Sequence, residues 1–200
     1  MIALLLAAAA PTTALEAERA LAADAQALGQ WTALRKWAAP DAVLFLPQPV
    51  DAQRWLRDRA DPATPTTWDA GARYRSCDGM LAADTGRWRR PDGTTGYFST
   101  LWVRQSDGGW RWLARGLDAA KRNIARAPAP GKAACTGRPA GPISFYPEYG
   151  RRVEQGASPD RTLRWRWRAD PSGMRQFSVD LWTGRRFVTV IDDSAVGPGT

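Results

Sequence analysis

The chain has 200 residues, 44% of them hydrophobic, enough for one full core and too few for a large multidomain enzyme. It carries 28 basic and 20 acidic residues, no His and two Cys, for a net charge of +8. Without His there is no Ser/His/Asp or Cys/His nucleophile and no His-ligated zinc or haem, and two Cys support neither an iron–sulfur cluster nor a Cys-rich zinc site.

The chain opens on an apolar run, Ile2 to Ala10, too short to span a bilayer and suited to the core of a secretory signal peptide. Residues 1–14 are therefore expected to be a signal peptide, cut after Ala10 or after Ala14, and the protein to be exported to the periplasm or beyond. From Glu16 to Ala39, apolar residues recur at Leu21, Leu28, Trp31, Leu34 and Trp37, the spacing of an amphipathic helix. Gly29 interrupts that stripe, which predicts two helices meeting at a kink, the second stopped by Pro40. Residues 42–46 read as a short apolar strand ended by Pro47 and Pro49. Asp51 reads as the N-cap of a short helix running to Arg59.

Strands follow. Residues 66–76 and 79–89 are expected to pair about Asp78-Gly79, and residues 97–105 and 110–116 about Asp107-Gly108-Gly109, since Asp-Gly is a strong hairpin turn. Residues 119–142 contain four Pro and three Gly without hydrophobic periodicity and read as a linker. Residues 143–200 form a basic extension, with runs at 162–169, 175–182 and 186–191 predicting a three-stranded β-meander. The excess charge lies in this direction: residues 1–100 carry 11 basic and 11 acidic side chains, residues 101–200 carry 17 and 9. The fold class is α+β, with no βαβ alternation and no G-x-G-x-x-G or G-x-x-x-x-G-K loop for a nucleotide. In an oxidising compartment Cys77 and Cys135 are expected to form one disulfide; in a reducing one they would be small buried thiols.

Residues 16–118 resemble the nuclear transport factor 2-like (SnoaL-like, ketosteroid-isomerase-like) superfamily, and within it exported bacterial members of unknown function. The residues carrying the resemblance are AADAQALGQWTALRKWA (22–38), APDAVLFLPQPV (39–50), SCDGMLAADTGRW (76–88) and GYFSTLWVRQSDGGWRWL (96–113). The resemblance implies a cone-shaped curved antiparallel sheet covered by the N-terminal helices over residues 15–118, with a mostly apolar pocket at its open end. It also implies a homodimer through the outer face of the sheet. It does not supply a function, because the fold hosts many.

The residues themselves suggest three readings. Strand parity makes Tyr97 and Trp112 pocket-facing aromatics, with Trp31 and Phe45 entering from the helix and first strand, so the leading expectation is an exported protein binding a small apolar molecule without catalysis. Such a pocket should hold no carboxylate of unusual pKa. The alternative is an isomerase or dehydratase using a pocket Asp; Asp41, Asp78, Asp84 and Asp118 are the acids near strand ends, each also fitting a turn or cap, and none is assigned as catalytic. The third is an envelope interaction module: Arg164, Arg166 and Arg168 share one face of a strand whose other face is Leu163, Trp165, Trp167 and Ala169, a stripe for an anionic partner other than a specific nucleic acid. No metal, cofactor or transmembrane segment is expected.

Overall fold

The computed structural model describes residues 10–46, 48–118, 129–137, 139 and 152–195. The apolar run at residues 2–9 and most of the expected linker, residues 119–128, lie outside the described residues. Helix α1, Ala14–Leu28, begins at a complete capping box: Thr13 Oγ1 accepts from the Glu16 amide while the Glu16 carboxylate accepts from Thr13. It buries Ala14, Ala17, Glu18, Leu21 and Ala25, an apolar face with one charge in its middle. Leu28, which the sequence periodicity places on that face, is 51% exposed, because the helix ends there at Gly29 with φ 107°. The turn requires that glycine twice over, since a Cβ on it would lie 2.3 Å from the Asp61 carboxylate. Asp61 caps helix α2, Gln30–Trp37, by accepting from the Trp31 and Thr32 amides.

Strand β1 (Ala38–Leu46), β2 (Gln48–Asp51), the short helix α3 (Ala52–Leu56) capped by Asp51, and strands β3 (Thr67–Arg75), β4 (Leu81–Arg89), β5 (Thr95–Arg104), β6 (Trp110–Asp118) and β7 (Gly131–Lys132) follow. The main sheet has the order β2-β1-β6-β5-β4-β3-β7. It is mixed where the family resemblance implies an antiparallel sheet: β1 runs parallel to β6 and β7 parallel to β3. Both exceptions arrive from outside the β3–β6 meander, β1 from a helix and β7 from the connecting segment, and each docks on a free edge without a hairpin to reverse it. Helices α1 and α2 cover the inner face, packing on Ala82, Trp102, Trp110 and Trp112.

A second, antiparallel sheet has the order β11-β10-β9-β8, from β8 (Arg152–Ala157), β9 (Leu163–Ala169), β10 (Arg175–Trp182) and β11 (Phe187–Ala195). It has four strands rather than the three read from the sequence; β8 is an edge strand whose VEQGA lacks the alternation of a half-buried strand. Leu163, Trp165, Trp167, Phe177 and Val179 pack against Phe45, Leu81, Ala83, Leu101 and Ala114 on the outer face of the main sheet in one cluster. That outer face is the one the family resemblance gives to a dimer partner, and here the chain's own second sheet covers it. Residues 133 and 134 bridge the two sheets, Ala133 N–H donating to Arg75 O and Ala134 N–H to Trp182 O. The Cys77 and Cys135 sulfurs are bonded at 2.04 Å beside them.

The second sheet repeats the first two turns of β3–β6, a relation that reading the sequence element by element misses. Ser76 and Ser158 each donate a backbone N–H to the Leu five residues on, accept that Leu's N–H on Oγ, and donate Oγ–H to the Asp two residues on. The next residue has positive φ in both turns, Gly79 at 71° and Arg161 at 60°. The next turns also match, Arg90–Thr94 and Asp170–Met174 each closing with Pro second, Gly fourth and the same pair of backbone hydrogen bonds. The two leading turns grip each other reciprocally: the Asp78 N–H donates to Asp160 Oδ2 and the Asp160 N–H to Asp78 Oδ2. Such an exchange is the contact pattern of a two-fold axis, here within one chain.

Candidate functional site: a buried acid beneath a basic rim

Register places four polar side chains in one row across the inner face, where apolar residues are the rule. Arg73 on β3 is opposite Asp84 on β4, Asp84 opposite Thr100 on β5, and Thr100 opposite Arg115 on β6. Helix α1 brings Glu18 down onto this row. The Arg115 Nη1 donates to Glu18 Oε1 at 2.8 Å and to Thr100 Oγ1, while the indole N–H groups of Trp68 and Trp102 donate to the two Glu18 oxygens at 2.7 and 3.0 Å. Glu18 and Arg115 are 1% exposed, so each charge depends on the other and on the indoles for solvation.

Asp84 has no such provision. It is 1% exposed and, among the described residues, neither carboxylate oxygen has a hydrogen-bond partner. Burial pushes its pKa up to about 8, the Glu18 charge adding to the rise and Arg73 and Arg115 opposing it. At pH 7 it is a neutral carboxylic acid, able to donate one hydrogen bond.

Asp84 lines a cavity of about 570 Å³ between the start of α1, strands β3 and β4, the facing ends of β5 and β6, and β7. Around it stand four exposed cations, Arg73, Arg75, Arg104 and Lys132, with Ala82 and Trp110 as apolar wall. The same register puts them there: Lys132 is opposite Arg75, Arg75 opposite Ala82, and Arg104 opposite Trp110. Among the described residues none of the four cations is in an ion pair. The cavity thus has a basic rim and a neutral acid at its floor. Among the described residues no group of three or more His, Cys, Asp or Glu is placed to hold a metal ion.

The aromatics that parity assigns to a pocket lie elsewhere, and none of them lines this cavity. Trp31 packs edge-on against Trp55 at 5.4 Å in the helical layer. Phe45 points to the outer face and meets Trp167 and Phe177 of the second sheet. Tyr97 is half-buried beneath Arg87. Trp112 is fully buried, its indole N–H donating to Leu34 O at 2.9 Å, so it belongs to the packed core beneath the helices rather than to the wall of this cavity. Of the four acids, Asp41 is exposed on β1 and Asp78 holds its turn by accepting from Ser76 and Met80; the Asp118 side chain lies outside what is described. Of these acids, among the described residues, Asp84 lines the cavity. Arg164, Arg166 and Arg168 do share the face of the second sheet that points away from the core, but Arg164 is tied to Asp180 at 2.9 Å and lies over Phe187.

Sequence reading missed Glu18, Arg73, Arg75 and Arg115. One signal was present: Glu18 falls between Ala14 and Leu21 on the apolar stripe of α1, a position where a charge needs a buried partner.

No protein-family model and no curated protein matches the chain by sequence. Solved structures do match. An NTF2-like superfamily protein from Salmonella enterica subsp. enterica serovar Typhimurium str. LT2 has a TM-score of 0.41 at 16% identity, covering 57% of this chain and 94% of its own. An NTF2-like protein of unknown function from Mesorhizobium loti has a TM-score of 0.33 at 21% identity, covering 53% of this chain and 88% of its own. Each of these two NTF2-like structures matches little more than half of this chain.

Proposed function

We propose that the protein binds a small molecule in the cavity above Asp84, with the Asp84 carboxyl, in its neutral form, as the hydrogen-bond donor at the floor. One observation carries this reading: a carboxyl that is buried, unpartnered among the described residues, and in the lining of a cavity large enough for a small ligand. The test is a cavity-filling substitution, Ala82→Phe, in ligand-observed NMR against a panel of small aromatic and aliphatic molecules. Molecules bound in this cavity lose their saturation transfer in the variant; hits that survive it, or an absence of hits, overturn the reading.

A second reading is favoured by the pKa of Asp84 itself. The expectation of a binding pocket without a carboxylate of unusual pKa fails at Asp84; binding uses that carboxyl only as a donor, whereas general acid–base catalysis of an isomerase or dehydratase kind uses a proton exchanged near neutral pH. The readout is exchange of the acidic C–H of a bound ketone in deuterated water. Exchange with the native chain and none with Asp84→Asn supports catalysis; equal exchange in both removes it.

Export belongs to the same proposal, supported by the apolar run at residues 2–10 and by a cysteine pair suited to an oxidising compartment. Among the described residues no helix is long and apolar enough to cross a membrane. Of the two cut sites, the one after Ala10 keeps the Thr13 capping box and the Thr12–Leu15 wall of the cavity, whereas the one after Ala14 removes most of both. Mass spectrometry of the exported chain should find Pro11 at its N-terminus. The outward Arg stripe supports an anionic-partner surface less well, since Asp180 already neutralises Arg164.

A further inference from the structure

We propose that the ligand of this cavity is a small organic anion, its charged head held between the Arg73 guanidinium and the buried Asp84 carboxyl and its apolar body lying along Ala82 and Trp110. This deepens the binding reading above and rests on it.

The rim decides the class. Four cations from three strands, Arg73, Arg75, Arg104 and Lys132, converge on one opening, and among the described residues none is neutralised by an ion pair. Three of them point inward because alternation along β3 and the pairing of β7 put them on the helix-covered face, where a solvated charge has no structural task. A cationic ligand would meet four like charges. A neutral one would leave them idle. An anionic head gains a charge-assisted contact from Arg73, with a planar guanidinium suited to a carboxylate, and accepts the Asp84 proton as a second bond.

The floor sets the sign of the pH dependence. The groups facing Asp84 are Glu18 from α1, Arg73 from β3 and Arg115 from β6, with Thr100 the uncharged neighbour on β5. Glu18 is held by Arg115 and two indoles. The acid of the row that is free to answer a bound anion is therefore Asp84. While protonated it donates to the anion; once ionised, above about pH 8, it repels it.

The experiment uses the full chain and three carboxylates, benzoate, 4-phenylbutyrate and octanoate, each beside its primary amide, in ligand-observed NMR and calorimetry at pH 6.5 and pH 9. The carboxylates should bind at least tenfold tighter than their amides at pH 6.5 and lose that advantage at pH 9. The aromatic and aliphatic members report which body the wall prefers. Arg73→Gln should cost tenfold or more in carboxylate affinity and leave the amides unchanged. Asp84→Asn, which keeps a donor that does not ionise, should hold the pH 6.5 affinity at pH 9, a readout that a merely structural role would not move. Amides binding as well as carboxylates, with both displaced by Ala82→Phe, would overturn the anion inference and leave the pocket reading standing. An indifferent Arg73→Gln overturns it likewise. Failure of every probe to bind, or binding untouched by Ala82→Phe, overturns both.

Discussion

The two meanders of this chain share their first two turns and differ in what covers them. Counting from the matched serines, Asp84 on β4 corresponds to Arg166 on β9: Ser76 and Ser158 lead the two turns, and the clasped Asp78 and Asp160 stand 82 positions apart, as do Asp84 and Arg166. Both residues face away from the interface between the sheets. The first meander is roofed by α1 and α2, and its outward face becomes an interior in which a carboxyl loses its water and its charge. The second has no covering helix among the described residues, and the same face carries half-buried arginines. Local sequence builds the meander, and the cover decides what a polar residue on it can do.

Breaking the buried pair should have the largest effect. Glu18→Ala strands the Arg115 guanidinium and leaves the Trp68 and Trp102 indoles without their acceptor, and should cost about 3–5 kcal/mol in urea unfolding. Replacing Glu18 and Arg115 together by Met should recover much of that, because no lone charge is then left in the interior.

Replacing Cys77 and Cys135 by Ser opens a loop of 58 residues between the main sheet and the segment that bridges to the second, and should lower stability by about 2–4 kcal/mol under oxidising conditions. A larger loss of signal from the second sheet than from the first, in hydrogen exchange, would show that the clasp and the bridge hold the pair together.

The roof itself is tested by pH. In the unfolded chain Asp84 ionises near 3.8, in the folded chain near 8, so its contribution is fully present below about pH 4 and declines as pH rises to about 8. The decline is at most about 1.4 kcal/mol per pH unit, and it levels off above pH 8. Asp84→Asn should lack this decline, so the difference in Tm between variant and native chain should widen in favour of the variant across that window. Arg166→Asp places the same carboxyl at the matching position of the unroofed sheet. Its pKa, followed by NMR, should stay in the ordinary carboxylate range; a value near that of Asp84 would deny the roof its role.

Arg164→Ala should matter least. The pair with Asp180 is 40% and 23% exposed at its two ends, so screening by solvent and salt limits the loss to about 0–1 kcal/mol.

Much of this architecture is legible in the residues. The kink at Gly29, the cap at Asp51, the Asp-Gly hairpin and the alternation of β9 are local, each fixed by a few neighbouring side chains and a backbone conformation. Strand β8 is not legible, because it is an edge strand whose VEQGA carries no strict apolar–polar alternation. The pocket aromatics are not legible either. Parity tells which residues of one strand share a face, but not which face is helix-covered or where it is hollow: Phe45 lies on the outer face against the second sheet, and Trp112 on the inner face is packed solid beneath the helices.

By itself the sequence determined the helices, most of the strands and their hairpin turns, and the excluded chemistries, since those follow from residue type and short-range spacing. Only the tertiary structure decided that Asp84 is an acid at neutral pH, that Glu18 and Arg115 hold each other, and that Arg73, Arg75, Arg104 and Lys132 ring one opening. A pKa and an ion pair depend on water removed by residues far away in the chain, and no local pattern encodes which distant helix will remove it.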